Sequence, residues 1–118
     1  MHSALDNLNE LVGIRGSLVV SRDGMVIASR LQGGLDGDRV AAMASNVVLR
    51  VSRALVERGL GLFSRLSLAS SDGEMIFEAT HESYLVVVME RGIDLGQAEL
   101  EIRSTARRIG ALGEIHIA

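Results

Sequence analysis

Acidic residues next to glycine are the first candidates for chemistry in this sequence. Ser-x-Asp-Gly occurs at residues 21–24 and again at 70–73, and Asp36 and Asp38 flank Gly37. Paired carboxylates could act as an acid and a base, or could bind Mg²⁺ or Ca²⁺. Asp-Gly between apolar, alternating runs is far more typical of a tight turn, and no calcium-loop series of acids follows. We therefore interpret both repeats as turns, and Asp36 or Asp38 as the cap of a helix.

The side chains that the sequence lacks exclude much of enzyme chemistry. The 118 residues include no cysteine and no lysine. A thiolate nucleophile, a zinc–thiolate site, a Schiff base and a P-loop lysine are therefore excluded. No Gly-x-Ser-x-Gly occurs, and His2, His81 and His116 lack metal-ligand spacing. Gly33 and Gly34 precede two aspartates that would repel a phosphate. We expect a protein that is not an enzyme and that binds no cofactor and no metal.

Charge and hydropathy limit the class of partner. The formal net charge is −3 and no basic stripe is visible, which argues against nucleic acid and against an anionic membrane surface. The longest apolar run is the six residues from Tyr84 to Met89, far short of a membrane span. No basic segment precedes an apolar one at the N-terminus. The sequence predicts one domain over residues 1–118 and a cytoplasmic location.

The pattern of apolar residues predicts the order helix, two strands, helix, three strands, helix. Residues 3–12 carry one apolar stripe after Ser3, a predicted helix cap, and this helix ends at Gly13. Two β-rich runs, 17–21 and 25–31, surround a predicted hairpin turn at Asp23-Gly24. The remaining elements are a long helix within 39–61, three strands within 61–91 with turns at Asp72-Gly73 and at 80–83, and a helix from Leu95.

The long helix has three faces when its residues are placed at 100° intervals. The apolar face that should cover the sheet consists of Val40, Ala44, Val47, Val48, Val51, Ala54 and Leu55. A polar stripe, about 60° wide, consists of Arg39, Asn46, Arg50, Arg53 and Glu57. A third sector of small and apolar residues consists of Ser45, Leu49, Ser52 and Val56. Because the sheet cannot also cover the third sector, we expect a second subunit to pack there. The alternatives are that a neighbouring loop covers it or that its apolar residues are simply exposed.

Residues 62–70 are predicted to form an edge strand because their leucines alternate with polar residues. Residues 84–89 are apolar at both parities, which is typical of a strand covered on both faces. An edge strand with one charge and no proline is usually paired or covered. We therefore expect a homodimer. Its predicted interface comprises Ser45, Leu49, Ser52 and Val56 of the helix and Leu62, Leu66 and Leu68 of the edge strand.

Three segments carry a family resemblance in addition to the order of elements. They are GSLVVSRDGMVIAS, AAMASNVVLRVSRALVERGLG and SYLVVVMERGIDLGQAELEIRSTARRI. Together they resemble the Roadblock/dynein-light-chain family, and within it the bacterial MglB-type regulators of Ras-like GTPases. The resemblance implies an α/β (α+β) domain of order αββαβββα with a five-stranded antiparallel sheet. It also implies that the long helix covers one face, that both terminal helices cover the other, and that a dimer forms through the edge strand and the long helix.

The resemblance further implies a non-catalytic module that binds a Ras-like small GTPase as an activator or scaffold. We expect the polar stripe to dock the GTPase. An arginine finger is not expected, because a finger projects from a flexible loop and these arginines lie on regular helical turns. One alternative is a structural adaptor of a motor or signalling complex, which would use the same dimer. A second is a small-molecule sensor of PAS type, but such domains interpose several short helices and a pocket where this chain has one long helix.

Overall fold

The predicted order of elements is confirmed. This computed structural model describes the backbone of residues 1–117 and the side chains of residues 1–112. The elements are α1 (His2–Asn9), β1 (Ile14–Ser21), β2 (Val26–Leu31), α2 (Gly37–Glu57), β3 (Arg65–Ser70), β4 (Gly73–Ala79), β5 (Ser83–Met89) and α3 (Leu95–Ile117). The long helix and the last helix therefore begin within two residues of the predicted positions.

The five strands form one antiparallel sheet in the order β2-β1-β5-β4-β3. The central strand β5 pairs with β1 on one side and β4 on the other, as its continuous apolar run predicts. Within the described chain, β3 pairs with β4 alone, so the predicted edge strand is confirmed. It begins at Arg65 rather than at residue 62, because residues 58–64 form the loop that leads out of α2.

Helices cover both faces of the sheet, as the family resemblance implies. On one face, Leu5 of α1 and Ile102 of α3 pack in a buried cluster with Leu85 of β5. On the other face, Val48 of α2 packs in a second cluster with the neighbouring strand residue Val86. Because successive side chains of a strand point to opposite faces, β5 contributes to both layers of the core. Burial of these two apolar clusters is the main source of stability.

The predicted N-cap of α2 is correct, whereas both predicted ends of α1 are wrong. Asp36 caps α2, since its Oδ1 accepts a hydrogen bond of 3.2 Å from the backbone N of Arg39. The predicted cap at Ser3 is wrong, because α1 begins at His2 with Met1 as its N-cap and no side chain of the described residues caps it. This helix also ends at Asn9 rather than at residue 12, because residues 10–13 form a turn. That turn ends at Gly13, whose φ is +92°.

The first hairpin is present with the predicted turn. Gly24 has a φ of +88°, a conformation that glycine adopts without the steric cost of a Cβ atom. β1 begins at Ile14, three residues before the predicted start. Glycine is depleted in strands, so Gly16 concealed this part of β1. It lies so close to β2 that an ideal Cβ on Gly16 would sit 2.9 Å from the Cα of Leu31.

Candidate functional site

The inner face of α2 is narrower than its apolar sequence suggests. Ala44 and Val48 are fully buried against the sheet. The partly buried side chains that pack on the same cluster include Val40, Val47, Val51 and Leu55. Ala54, which was also predicted to face the sheet, is exposed. Large parts of both flanks of α2 are therefore accessible in the described chain.

The polar stripe lies together on the exposed side of α2. All five residues are exposed: Arg39, Asn46, Arg50, Arg53 and Glu57. Arg39 is engaged, since its Nε lies 3.3 Å from Oδ2 of the capping residue Asp36. Within the part of the chain whose side chains are described, Arg50 and Arg53 form no ion pair and no side-chain hydrogen bond. These two guanidinium groups are therefore available to carboxylates of a partner.

An apolar groove of about 600 Å³ separates the polar stripe from the sheet edge. It is lined by Arg39, Ala42, Met43, Asn46, Val47, Arg50 and Val51 of α2 and by Leu66 and Leu68 of β3. Arg39, Asn46 and Arg50 thus form part of one rim of this groove. We call it the β3 groove. Exposed apolar grooves and unpaired edge strands are both commonly covered by another protein chain, and here the two lie side by side.

The third sector of α2 lies on the opposite flank, above the β1–β2 turn. The side chain of Leu49 is so close to that turn that an ideal Cβ on Gly24 would lie 2.9 Å from its Cγ. Ser45 and Ser52 are half-buried, whereas Leu49 and Val56 are exposed. Because β2 and β3 are the two opposite edges of the sheet, this flank faces away from the β3 groove.

The predicted dimer interface is consequently divided between two surfaces. Leu66 and Leu68 line the β3 groove, and Leu62 is exposed in the loop before β3. The four residues of the third sector, Ser45, Leu49, Ser52 and Val56, lie on the flank above the β1–β2 turn. The structure therefore does not bring the seven predicted residues into one patch. Sequence periodicity gives the angle of each residue around the helix, but it does not reveal which sheet edge lies beside that angle.

A buried aromatic pair joins three loops at the end of α2, and the sequence reasoning missed it. The rings of Phe63 and Tyr84 stack with centroids 4.2 Å apart. The Tyr84 hydroxyl donates a hydrogen bond of 3.0 Å to the carbonyl oxygen of Phe63. The guanidinium carbon of Arg22 lies 5.3 Å from the centre of the Tyr84 ring, and its Nη2 donates to the carbonyl oxygens of Thr80 and His81, each at 3.2 Å. Arg22 thereby holds the β1–β2 and β4–β5 turns together.

Burial raises the pKa of Tyr84 above its usual value of 10.0. The positive charge of Arg22 and the nearby Ser52 hydroxyl both lower this pKa, but burial has the larger effect. The Ser52 hydroxyl is itself buried, and in the described structure it meets no standard hydrogen-bond geometry. The only signals of this cluster in the sequence were a lone tyrosine at the start of the central strand and an arginine in a turn.

The described residues offer no arrangement for metal binding. They contain no group of three or more His, Cys, Asp or Glu side chains that could hold a metal ion. Asp23 and Asp72 lie at hairpin turns, as predicted. His2 and His81 are exposed, and the side chain of His116 lies outside the described residues. No helix in the described part of the chain has the length and apolar content required to cross a membrane. What the described residues provide is accessible apolar surface on the two flanks of α2.

Comparison with known proteins gives a consistent family assignment. Residues 2–89 match the sequence model of the Roadblock/LC7 domain. The chain is 34% identical over 105 residues to the uncharacterized protein MJ1340 of the archaeon Methanocaldococcus jannaschii, a match that spans 89% of this chain and 92% of that protein.

Solved structures with a similar fold include two MglB proteins. MglB of Myxococcus xanthus superposes with a TM-score of 0.82 at 18% identity, over 95% of this chain and 93% of that one. The gliding protein MglB of Thermus thermophilus superposes with a TM-score of 0.78 at 16% identity, over 96% of this chain and 87% of that one. At such low identity, these two superpositions bear on the fold alone.

Proposed function

This chain belongs to the Roadblock/LC7 domain family, and we propose that it is a dimeric, non-catalytic module that binds a Ras-like small GTPase and modulates its GTPase cycle. The observation that carries the proposal is a pair of features: an apolar groove between α2 and the sheet edge, and exposed arginines on α2, of which Arg39 and Arg50 line that groove. The groove suits a second copy of the chain. The arginines suit an acidic protein surface.

The proposed dimer extends the sheet through β3. Leu66 and Leu68 lie on the α2 side of β3, where they already border the β3 groove. A second β3 strand, paired antiparallel to the first, would bring the partner's long helix alongside α2. The apolar floor of the groove would then be removed from water. Such an arrangement leaves the outward side of both helices free for another protein.

The proposed GTPase contact is electrostatic in part. The stretch from Gly37 to Arg58 contains four arginines and two acids, although the whole chain has a net charge of −3. Switch regions of Ras-like GTPases commonly present acidic and polar groups, so this helix has the complementary charge. The proposal assigns no transition-state arginine to this chain. Regulation therefore proceeds because binding changes the conformation of the partner GTPase.

The dimer is tested with Leu68→Arg, a change at the sheet edge. We expect the unmodified protein to be a dimer at roughly tens of micromolar, and the variant to be monomeric, because pairing would bury an unpaired charge. Light scattering reports the mass of each. Leu100→Arg is the matched control, since Leu100 is 71% exposed on α3, on the other face of the sheet. A monomeric unmodified protein would refute the proposed dimer.

GTPase binding is tested with Arg50→Glu combined with Arg53→Glu. Surface plasmon resonance against a purified Ras-like small GTPase loaded with a GTP analogue should show sharply weaker binding of the double variant. The melting temperature should hardly change, because exposed charges contribute little to stability. The matched control is Arg107→Glu with Arg108→Glu, two exposed positions of α3. Equal affinity of both double variants would show that the stripe is only a solvated face.

A turnover assay separates a regulator from a structural adaptor. The proposed regulator changes the rate at which the partner GTPase hydrolyses GTP, and it hydrolyses none alone. A structural adaptor would bind the GTPase, or another protein, without altering that rate. Measuring phosphate release with increasing amounts of this protein distinguishes the two functions.

A further inference from the structure

Six large apolar side chains that do not line the β3 groove are exposed around the β1–β2 turn and the C-terminal end of α2. Their exposed fractions run from 39% for Val26 to 67% for Leu60. They belong to three segments, which are the β1–β2 turn with the first residue of β2, the C-terminal half of α2 and the loop after it. The members are Met25, Val26, Leu49, Val56, Leu60 and Leu62, and we call them the turn-side patch.

The aromatic cluster holds these three segments at one place. Phe63, the residue after Leu62, stacks on Tyr84, and Arg22 of the β1–β2 turn lies over the same ring. Ser52 of α2 contributes the buried hydroxyl near that tyrosine. Leu49 closes the contact between α2 and the turn at Gly24. The turn-side patch is thus built on a rigid base, although the patch itself is exposed.

The backbone conformation of the loop after α2 exposes Leu60 and Leu62 to solvent. Gly59 and Gly61 have φ angles of +72° and +78°, so the chain bends on both sides of Leu60. The backbone N of Leu60 donates to the carbonyl oxygen of Leu55 at 2.9 Å, which fixes the end of the helix. With Phe63 anchored in the core, Leu60 and Leu62 stay in solvent at more than half of their full exposure.

The charges around the patch favour an acidic partner. Arg53 is 40° around the helix from Leu49, and Arg58 follows the C-terminal end of α2. Arg22 approaches from the β1–β2 turn. Two acids, Asp23 and Glu57, are also nearby in sequence, so the surroundings are basic without being uniformly so. Mixed charge of this kind suits a defined protein surface better than a uniformly anionic lipid layer.

We propose that the turn-side patch is the docking site for the GTPase, through an apolar contact bordered by carboxylates of the partner. The assignment rests on the function proposed above and sharpens it, because it moves the centre of docking from the polar stripe to the flank opposite β3. A second copy paired through β3 lies at the sheet edge opposite β2, and so leaves Met25, Val26 and Leu49 uncovered. The third sector, predicted from sequence as a dimer contact, is thereby assigned to the GTPase.

The test uses Val56→Asp and Leu60→Asp, separately and together, in the full chain. Both positions are more than half exposed, so the variants are expected to fold and to melt like the unmodified protein. Light scattering should show an unchanged dimer. Surface plasmon resonance against the same purified Ras-like small GTPase in its GTP-analogue form should show at least a tenfold loss of affinity. Leu100→Asp on α3 is the matched control and should bind normally.

Each other outcome overturns a specific statement. If the unmodified protein does not bind the GTPase, the proposed function fails and this assignment fails with it. If the unmodified protein binds and the aspartate variants bind equally well, only the assignment of the patch fails. Loss of the dimer in Val56→Asp would show that a second copy covers this flank. Co-flotation of the unmodified protein with phosphatidylserine vesicles, abolished by Leu60→Asp, would identify a lipid surface as the occupant instead.

Discussion

Removing one hydroxyl from the aromatic cluster tests how firmly it joins the loops around α2. Tyr84→Phe keeps the ring that stacks on Phe63 but removes the donor to the Phe63 carbonyl oxygen. A buried carbonyl that loses its donor costs about 1–3 kcal/mol. Since 1 kcal/mol changes the melting temperature of a domain of this size by roughly 3–6 °C, a loss of about 2 kcal/mol lowers it by roughly 6–12 °C.

Alkaline pH gives a second readout of the same hydroxyl. Tyr84 is the sole tyrosine and the chain has no tryptophan, so near-ultraviolet absorbance reports its ionisation alone. The folded protein holds the pKa of Tyr84 above 10.0, so the unfolded state loses its proton first as the pH rises. The stabilisation from Tyr84 is thus complete below pH 10 and is lost as the pH rises through the higher, folded value. Tyr84→Phe has no phenol to ionise, so its stability should not fall in this pH range for that reason.

Two results would refute this reasoning. If Tyr84→Phe melts at the temperature of the unmodified protein, the Phe63 carbonyl does not depend on the hydroxyl. If the tyrosine of the folded protein ionises at the same pH as in denaturant, burial does not dominate its pKa. Thermal unfolding followed by circular dichroism and a spectrophotometric pH titration supply the two measurements.

Two further changes test the ends of the structure around α2. Asp36→Ala removes the N-cap whose Oδ1 accepts from the Arg39 backbone, and it should lower the free energy of unfolding by about 0.5–2 kcal/mol in urea titrations; Asp36→Asn, which can still cap, should lose much less. Gly24→Ala places a methyl group at a φ of +88° and within 2.9 Å of Leu49, so we expect a loss of about 1 kcal/mol or more by the same measurement. An unchanged free energy in either variant would contradict the corresponding contact.

Most of the fold could be predicted because its apolar periods are strong. The apolar run from Tyr84 to Met89 identified the central strand, and Asp23-Gly24 identified the first hairpin. The predictions failed where the local sequence propensity conflicts with tertiary contacts. Gly16 concealed the start of β1, although the close approach of β2 requires a residue without a side chain there. Ser3 had the spacing of a capping residue, yet the helix begins one residue before it.

The candidate site could be predicted only in part, because the strand order decides which sheet edge lies beside each residue of α2. A helical wheel separates Leu49 from Met43 but gives no information on whether β2 or β3 lies beside each. The sheet order places Met43 at the β3 groove and Leu49 over the β1–β2 turn. Residues that the sequence grouped as one interface therefore lie on two flanks. The aromatic cluster of Tyr84 was also unpredictable, since its members are far apart along the chain.

The position of the polar stripe between the two flanks suggests why one helix serves both proposed contacts. Arg50 lines the β3 groove, where the proposed second copy packs, whereas Arg53 lies toward Leu49 and the turn-side patch. Dimerisation through β3 would bring two such stripes side by side at the centre of the assembly. A GTPase seated on one turn-side patch would lie next to Arg53 of the same copy. Because the two contacts share α2, a change in helix packing on dimerisation that alters GTPase affinity by some factor would be matched by a change of the same factor in dimer affinity when the GTPase binds.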